Sequence, residues 1–337
     1  MEYLFLAQLS EDYYKQIKVL FEQIEFSSIE QCPGFSDAAY PNEKIIHALF
    51  LSNNEIKGYA QIKIKKHILA SVYFGPLIKT ESDYELFIKE IKKYCKRKFI
   101  PVLKILPPHN TIKYQSSFWE QLKADTNFET CDNEFNWSTL ISKINLTDEE
   151  LLKSFADNHR QSIKKAMNIG FKTTLLNQKD IDTFNNQYCE MYTAKGLPIN
   201  ITNNFQKFTR LFQFFEEHKN GFFMGVWLEN KLIGGVCISF GNNVAFYLEG
   251  YSHPDYRKLP VSHLALYESM KLARDNGLNY FDFGGYANNT VEGDQLYNIN
   301  KFKEGFRGEL IYYPKTMIFY TSLPVKWMYK LFLLLRK

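Results

Sequence analysis

Apolar and polar positions along this chain alternate between two periods. Residues 47–62 read as an apolar run, a polar turn around Asn53 and Asn54, and a second run opening near Gly58. Residues 223–236 repeat the pattern, with Asn230 in the turn and Gly234 opening the second run. Each stretch predicts a β-hairpin. A period near 3.6 governs two other segments. Tyr84, Phe87, Ile88, Ile91, Tyr94 and Cys95 share one face of a helix over 83–98, and His263, Leu266, Tyr267, Met270 and Ala273 share one over 259–274.

A constant offset of 176 residues carries the first set of elements onto the second. It moves Asn54 onto Asn230 and Gly58 onto Gly234, and the strand-like residues 102–105 onto 278–281. Five elements in one order predict a duplicated domain. Each copy runs helix, hairpin, strand, helix, strand, an α/β order that resembles the GNAT (acyl-CoA N-acyltransferase-like) fold. The second copy opens on a capping box, Thr147 to Glu150, followed by a stripe of Leu151, Leu152, Phe155, Ile163 and Ala166, with Gly170 as C-cap. The expected division is therefore 1–145, 146–323 and a tail 324–337. Without a low-complexity linker, the domains are expected to pack closely around a cleft.

Composition adds limits. Lys and Arg number 41 and Asp and Glu 37, a net charge of +4, too balanced for a dedicated polyanion binder. Aromatics reach 16%, enough for two cores and a lined groove. The five cysteines have no metal or redox spacing and read as buried reduced thiols. Residues 1–4 open no basic-apolar leader, and no run approaches the ~20 apolar residues of a membrane span. A cytoplasmic protein is expected.

The chemistry starts from absences. The chain has no Gly-x-Ser-x-Gly, no His-Glu-x-x-His and no Walker lysine loop, so a covalent route is not indicated and direct transfer between two bound substrates stays open. The strand-to-helix junction of the second copy, 253–262, has no glycine and carries Pro260. In coenzyme A enzymes of the GNAT class this junction is glycine-rich, and its amides hold the pyrophosphate. The first copy, at 79–83, lacks such a loop too. Acetyl-CoA is not expected as cofactor. Tyr280 to Gly285 reads as a buried strand ending in a glycine pair, with Asp282 either capping the loop or meeting substrate. Residues 297–309 mix cations, glycines and bulky apolar residues, as a solvated helix end would.

Three motifs then resemble the FemABX family, which moves an amino acid from aminoacyl-tRNA onto the stem peptide of a peptidoglycan precursor. They are Arg160 to Ala166 followed by Gly170, Ala273 to Gly277 leading into Phe281 to Gly285, and Lys301-Phe302-Lys303 with Gly305-Phe306. Gln31 to Phe35 and Gly75-Pro76 resemble the marks of its first domain. The resemblance spans nearly the whole chain and matches the compact members without a helical arm. It implies two GNAT-like domains, aminoacyl-tRNA as co-substrate, and a nucleotide- or lipid-linked precursor as acceptor. It also implies Lys303 as the cation that stabilises the oxyanion, with Phe302 beside it. Lys195, Tyr256 and Arg257 fall on the acceptor side, with Asp282 as a further binding candidate. Arg160, Lys164 and Lys165 form a basic helix face that either meets an RNA end or is simply the polar side of an amphipathic helix. Two other readings stay open: an acyl-CoA-dependent N-acyltransferase acting on a sugar or lipid, and a non-catalytic GNAT pair used for binding.

The tail combines aromatics, a leucine run and four cations. It is either an interfacial helix touching a membrane surface or a last helix packed on its own domain. The first case puts the protein at the inner face of the membrane.

Overall fold

The computed structural model of the protein describes residues 2–108, 116–131 and 137–335. Strand β1 (Glu2–Leu6) leads into α1 (Glu11–Gln23), whose first turn is capped by the Ser10 hydroxyl. Helix α2 (Phe35–Ala39) precedes the first hairpin, β2 (Lys44–Ser52) with β3 (Glu55–Lys65). Then come β4 (Leu69–Val72), β5 (Leu77–Ile78), α3 (Glu81–Arg97), β6 (Val102–Ile105), α4 (Ser116–Asp125) and β7 (Glu129–Thr130). The second half begins with β8 (Trp137–Lys143), α5 (Asp148–Ser154), α6 (Asp157–Ile169), β9 (Lys172–Leu175), α7 (Asp180–Ala194) and α8 (Ile201–His218). The second hairpin is β10 (Gly221–Leu228) with β11 (Lys231–Phe240), followed by β12 (Val244–Ser252) and a 3-10 turn, Pro254–Tyr256. Helix α9 (Val261–Asp275), β13 (Tyr280–Ala287), α10 (Gln295–Glu304), β14 (Glu309–Tyr312), β15 (Met317–Tyr320) and α11 (Leu323–Leu334) complete the order.

These strands form two sheets. One runs β1-β2-β3-β4-β6-β15-β7 with β5 also on β3, and the other runs β9-β10-β11-β12-β13-β8-β14. The two orders correspond place by place. Each main path has one parallel pair, β4 with β6 and β12 with β13, and antiparallel pairs elsewhere. The hairpins agree in detail. The first breaks register between Phe50 and Leu51 and the second between Val226 and Trp227, the same place under the 176-residue offset. The offset then slips. Leu69 pairs with Val102, 33 residues on, whereas Val244 pairs with Tyr280, 36 residues on. Three extra residues in the second copy therefore lie between its parallel strands.

The chain divides into two units, Met1–Asp37, Asn42–Asn136 and Tyr313–Lys337 in the first and Ala38–Pro41 and Trp137–Tyr312 in the second. The division comes one strand before residue 145, and the second unit closes at Tyr312, short of residue 323. Pairing explains both differences. Strand β8 is interior to the second sheet, between β13 and β14, and β15 takes the matching place beside β6 in the first. The expected core faces are buried: Tyr84, Phe87, Ile88, Ile91 and Cys95 in the first core, Leu266, Tyr267, Met270 and Ala273 in the second. Cys32, Cys95, Cys189 and Cys237 are buried free thiols, and Cys131 is partly buried.

In the first unit, two motifs far apart in sequence meet. The Gln31 amide donates to the Tyr73 carbonyl at 2.6 Å and accepts from the Gln61 amide at 2.9 Å. A Cβ on Gly75 would lie 2.7 Å from the Gln31 side chain, so glycine is what lets that side chain settle there. In the second unit, the apolar stripe expected as one helix is broken in two at Phe155 and Ala156, both extended. The break frees the Ala156 amide to donate to the Gly305 carbonyl at 2.8 Å. The Thr147–Glu150 capping box and the left-handed Gly170 C-cap stand as the sequence reading has them.

Candidate active site

The site is built on a bulge in β13. This strand is parallel to β12 only over Tyr280–Asp282. On its other side, Asp282 pairs with Ile141 and Gly285 with Thr139, so Phe283 and Gly284 together oppose Leu140 alone. The extra residue bends the strand away from its neighbour. Gly284 sits at φ +70°, and a Cβ there would come within 3.1 Å of the Tyr247 carbonyl, which makes glycine the fitting residue. The strand does not end at the glycine pair, as the sequence reading expects. It passes through the bulge and runs on to Ala287.

Helix α10 lies along this bent segment and is tied to it at three points. Asn300 matches the backbone of Ala287, accepting from its amide at 3.1 Å and donating to its carbonyl at 2.7 Å. Lys303 donates from Nζ to the Gly285 carbonyl at 2.6 Å. Glu304 accepts from the Tyr286 hydroxyl at 2.7 Å. Residues 300, 303 and 304 share one helix face, the spacing that lets them act together.

Lys303 is only 7% exposed. Burial pushes its ammonium down from the ordinary 10.5 to about 8, partly opposed by the attraction of Asp282. The ammonium is thus mostly charged at neutral pH, while its net cost in the fold is large. One of its three N–H donors goes to Gly285, and two remain by valence. Asp282 is itself fully buried, and its Oδ1 accepts from the Gly284 amide at 2.7 Å and from the Thr139 hydroxyl. Asp282 therefore holds the bulge and lends charge to Lys303.

Phe302 points to a different side of α10. Its ring packs against His263 at 5.0 Å, Phe306 at 5.5 Å and His159 at 5.6 Å. His159 donates from Nε2 to the Phe302 carbonyl at 2.8 Å, joining α6 to α10. Burial holds His159 below its usual range despite that bond, and burial with the neighbouring His159 lowers His263 to about 4. A Cβ on Gly305 would fall 2.0–2.3 Å from the His159 ring, so the glycine leaves the space this ring fills. Asn300, Tyr286 and His159 were not singled out from sequence, and His263 was read only as part of the apolar face of its helix.

The other expected residues are placed as follows. Arg160 turns back on α5, its guanidinium donating to the carbonyls of Phe155 at 2.7 Å and Lys153 at 3.2 Å and pairing with Asp157. It is a cap there, not part of an open basic face; Lys164 and Lys165 on the same helix are exposed. Tyr256 ends the 3-10 turn, with Lys231 over its ring at 5.0 Å, and Arg257 follows it, exposed. Lys195 ends α7, which packs on this turn and brings Glu190 within 3.6 Å of His253. Lys195, Tyr256 and Arg257 thus sit on adjoining elements. Within that junction the amides of Tyr256, Leu259 and Val261 bond the carbonyls of His253, Tyr256 and Leu259 at 2.8–2.9 Å. Among the described residues no group of His, Cys, Asp and Glu has the arrangement of a metal site.

The family described as "Acetyltransferase (GNAT) domain" matches residues 153–298. The lipid II:glycine glycyltransferase of Staphylococcus haemolyticus (strain JCSC1435) is 33% identical over 87 residues, 26% of this chain and 19% of that protein. The protein of the same name from Staphylococcus epidermidis (strain ATCC 12228 / FDA PCI 1200) is 35% identical over 75 residues, 22% of this chain and 18% of that one. The matched stretch spans about a fifth of those relatives. The crystal structure of FemX superposes with a TM-score of 0.82 at 15% identity, covering 97% of this chain and 99% of that one. A tandem GNAT protein from the clavulanic acid biosynthesis pathway gives 0.62 at 10% identity, covering 95% and 98%. The fold is a tandem pair of GNAT-like domains.

Proposed function

We propose that this chain is a member of the FemABX family of tandem-GNAT proteins, an aminoacyltransferase using aminoacyl-tRNA and a peptidoglycan precursor, which its likeness to FemX and to the lipid II:glycine glycyltransferases supports. The acceptor amine of the stem peptide attacks the ester carbonyl at the RNA end. A C–N bond forms, the carbonyl electrons move to oxygen, and collapse expels the ribose hydroxyl, which takes a proton. The ester is already activated, so no protein nucleophile and no cofactor enter.

The observation that carries the reading is Lys303, a buried ammonium fixed on the bulged strand by the Gly285 carbonyl. A preorganised donor facing a developing oxyanion contributes ~3–4 kcal/mol to the rate, and burial strengthens it. The amides of Tyr256, Leu259 and Val261, each bonded to a carbonyl within the junction, support a donor other than acetyl-CoA. Lys195, Tyr256 and Arg257 form the acceptor side, where the precursor carries phosphates and carboxylates. Lys164 is left for the RNA end, while Arg160 serves the helix.

The test is a transfer assay offering charged tRNA, acetyl-CoA and long-chain acyl-CoA in parallel to nucleotide- and lipid-linked muropeptides, read by the mass added. Aminoacyl addition from tRNA, lost in a folded Lys303→Ala variant, is expected. Acyl addition from coenzyme A alone, or a fully active Lys303→Ala protein, refutes the reading.

A further inference from the structure

Helix α11 presents its apolar residues outward. The side of the helix turned to its own unit carries Val325, Lys326, Tyr329 and Leu333, all half-buried. Tyr329 packs against Tyr320 at 5.9 Å with the rings tilted by 55° and lies under the Lys104 ammonium at 5.1 Å, while Lys326 pairs with Glu129 at 2.5 Å. The opposite side carries Trp327 at 69% exposure, Leu331 at 58% and Leu334 at 69%, flanked by Met328 and Leu335. A helix packed only against its own domain has the reverse arrangement, apolar inside and polar outside.

Charge selects the occupant. No Asp or Glu follows Glu309 in the sequence, whereas Lys315, Lys326, Lys330, Arg336 and Lys337 do. Lys330 is exposed beside the apolar face. Arg336 and Lys337, the end of the tail considered from sequence, lie outside the described residues. An outward apolar face with Trp, a leucine run and cations without acids matches an anionic bilayer surface, where indole and leucine enter the headgroup boundary and lysines meet lipid phosphates. No helix among the described residues is long and apolar enough to cross a membrane, so the contact is along the surface. We propose that α11 docks the protein on anionic lipid bilayers through Trp327, Leu331 and Leu334. This inference does not depend on the catalytic reading.

The experiment is co-sedimentation of the full chain with phosphatidylcholine vesicles, with and without about one-third phosphatidylglycerol, at low and high salt. Binding is expected to anionic vesicles, weakened by salt and at least tenfold weaker to neutral ones. Trp327→Ser with Leu331→Ser is expected to weaken it by on the order of tenfold or more at unchanged melting temperature, because both side chains are already exposed. No anionic-vesicle binding by the unaltered chain, or undiminished binding by the double variant, overturns the proposal. Loss of a dimer in the double variant without vesicle binding overturns it in favour of a second copy covering this face.

Discussion

Replacing Lys303 with Met separates the cost of this ammonium from its use. The displacement from 10.5 to about 8 means that the folded protein holds the charge at neutral pH at a cost of about 3 kcal/mol, at ~1.4 kcal/mol per pH unit. The variant escapes that cost but leaves the Gly285 carbonyl without its donor, a loss of ~1–3 kcal/mol. At pH 7 the two effects nearly offset, and Lys303→Met should be as stable as the parent or up to about 2 kcal/mol more stable. The pH dependence isolates the charge. Below about 8 the lysine is protonated both folded and unfolded, and the penalty is present in full. Between about 8 and 10.5 the unfolded chain binds the proton that the folded one has released, so the parent gains stability as pH rises. The parent should therefore gain about 3 kcal/mol on Lys303→Met between pH 7 and 10.5, whatever the hydrogen bond contributes. Urea unfolding of both proteins across that range measures this, since other titrating groups cancel in the difference. A difference that stays flat, or that moves against the parent as pH rises, refutes the reasoning. Under the proposed function, transfer should also fall above pH 8 as the cation is lost.

Three further outcomes are expected. Gly305→Ala drives a methyl into the His159 ring and should cost about 1–3 kcal/mol in thermal unfolding, with much of the loss relieved by adding His159→Ala; strict additivity would sink the contact. His263 titrates near 4 when folded against 6.5 when free, so stability should be lost as pH falls through that window, by up to ~3 kcal/mol; a His263→Phe protein should show a shallower acid transition by circular dichroism. Arg160→Ala removes the cap on α5 and should lower the melting temperature, whereas Lys164→Ala should leave it within about 1 °C; equal melting temperatures with a selective loss of RNA binding in Arg160→Ala would return Arg160 to the site.

The duplication was legible because its signals are local. Turn residues such as Asn54 and Asn230, and glycines such as Gly58 and Gly234, announce hairpins without reference to the rest of the chain, and even the register breaks follow the offset. The sheet to which β8 or β15 belongs was not legible. Seven residues around Ile141 and four around Ile318 specify an extended segment, but their partners are set by distant chain. The same limit hid the character of Lys303. Lys301 and Lys303 are two residues apart on one helix, yet Lys301 pairs with Glu304 in solvent while Lys303 is buried against a strand. Their difference is made by the bulge at Phe283–Gly284. The resemblance pointed to Lys303; residue patterns alone read a solvated helix end. For Arg160, spacing gave a helix face and left its partner open, because the carbonyls it caps are exposed only by the break at Phe155.

The exchange of β8 and β15 also has a consequence in time. A ribosome delivers β8 through β14 as one continuous stretch, so the second sheet has all its strands once Tyr312 has emerged. The first sheet, begun earliest, still has an open place beside β6 until β15 arrives. Synthesis usually lets the leading domain fold first. Here the leading domain must wait, with the edges of β6 and β7 unpaired, while the trailing one completes itself. A nascent chain stalled just before Met317 is the form of this protein most in need of a chaperone.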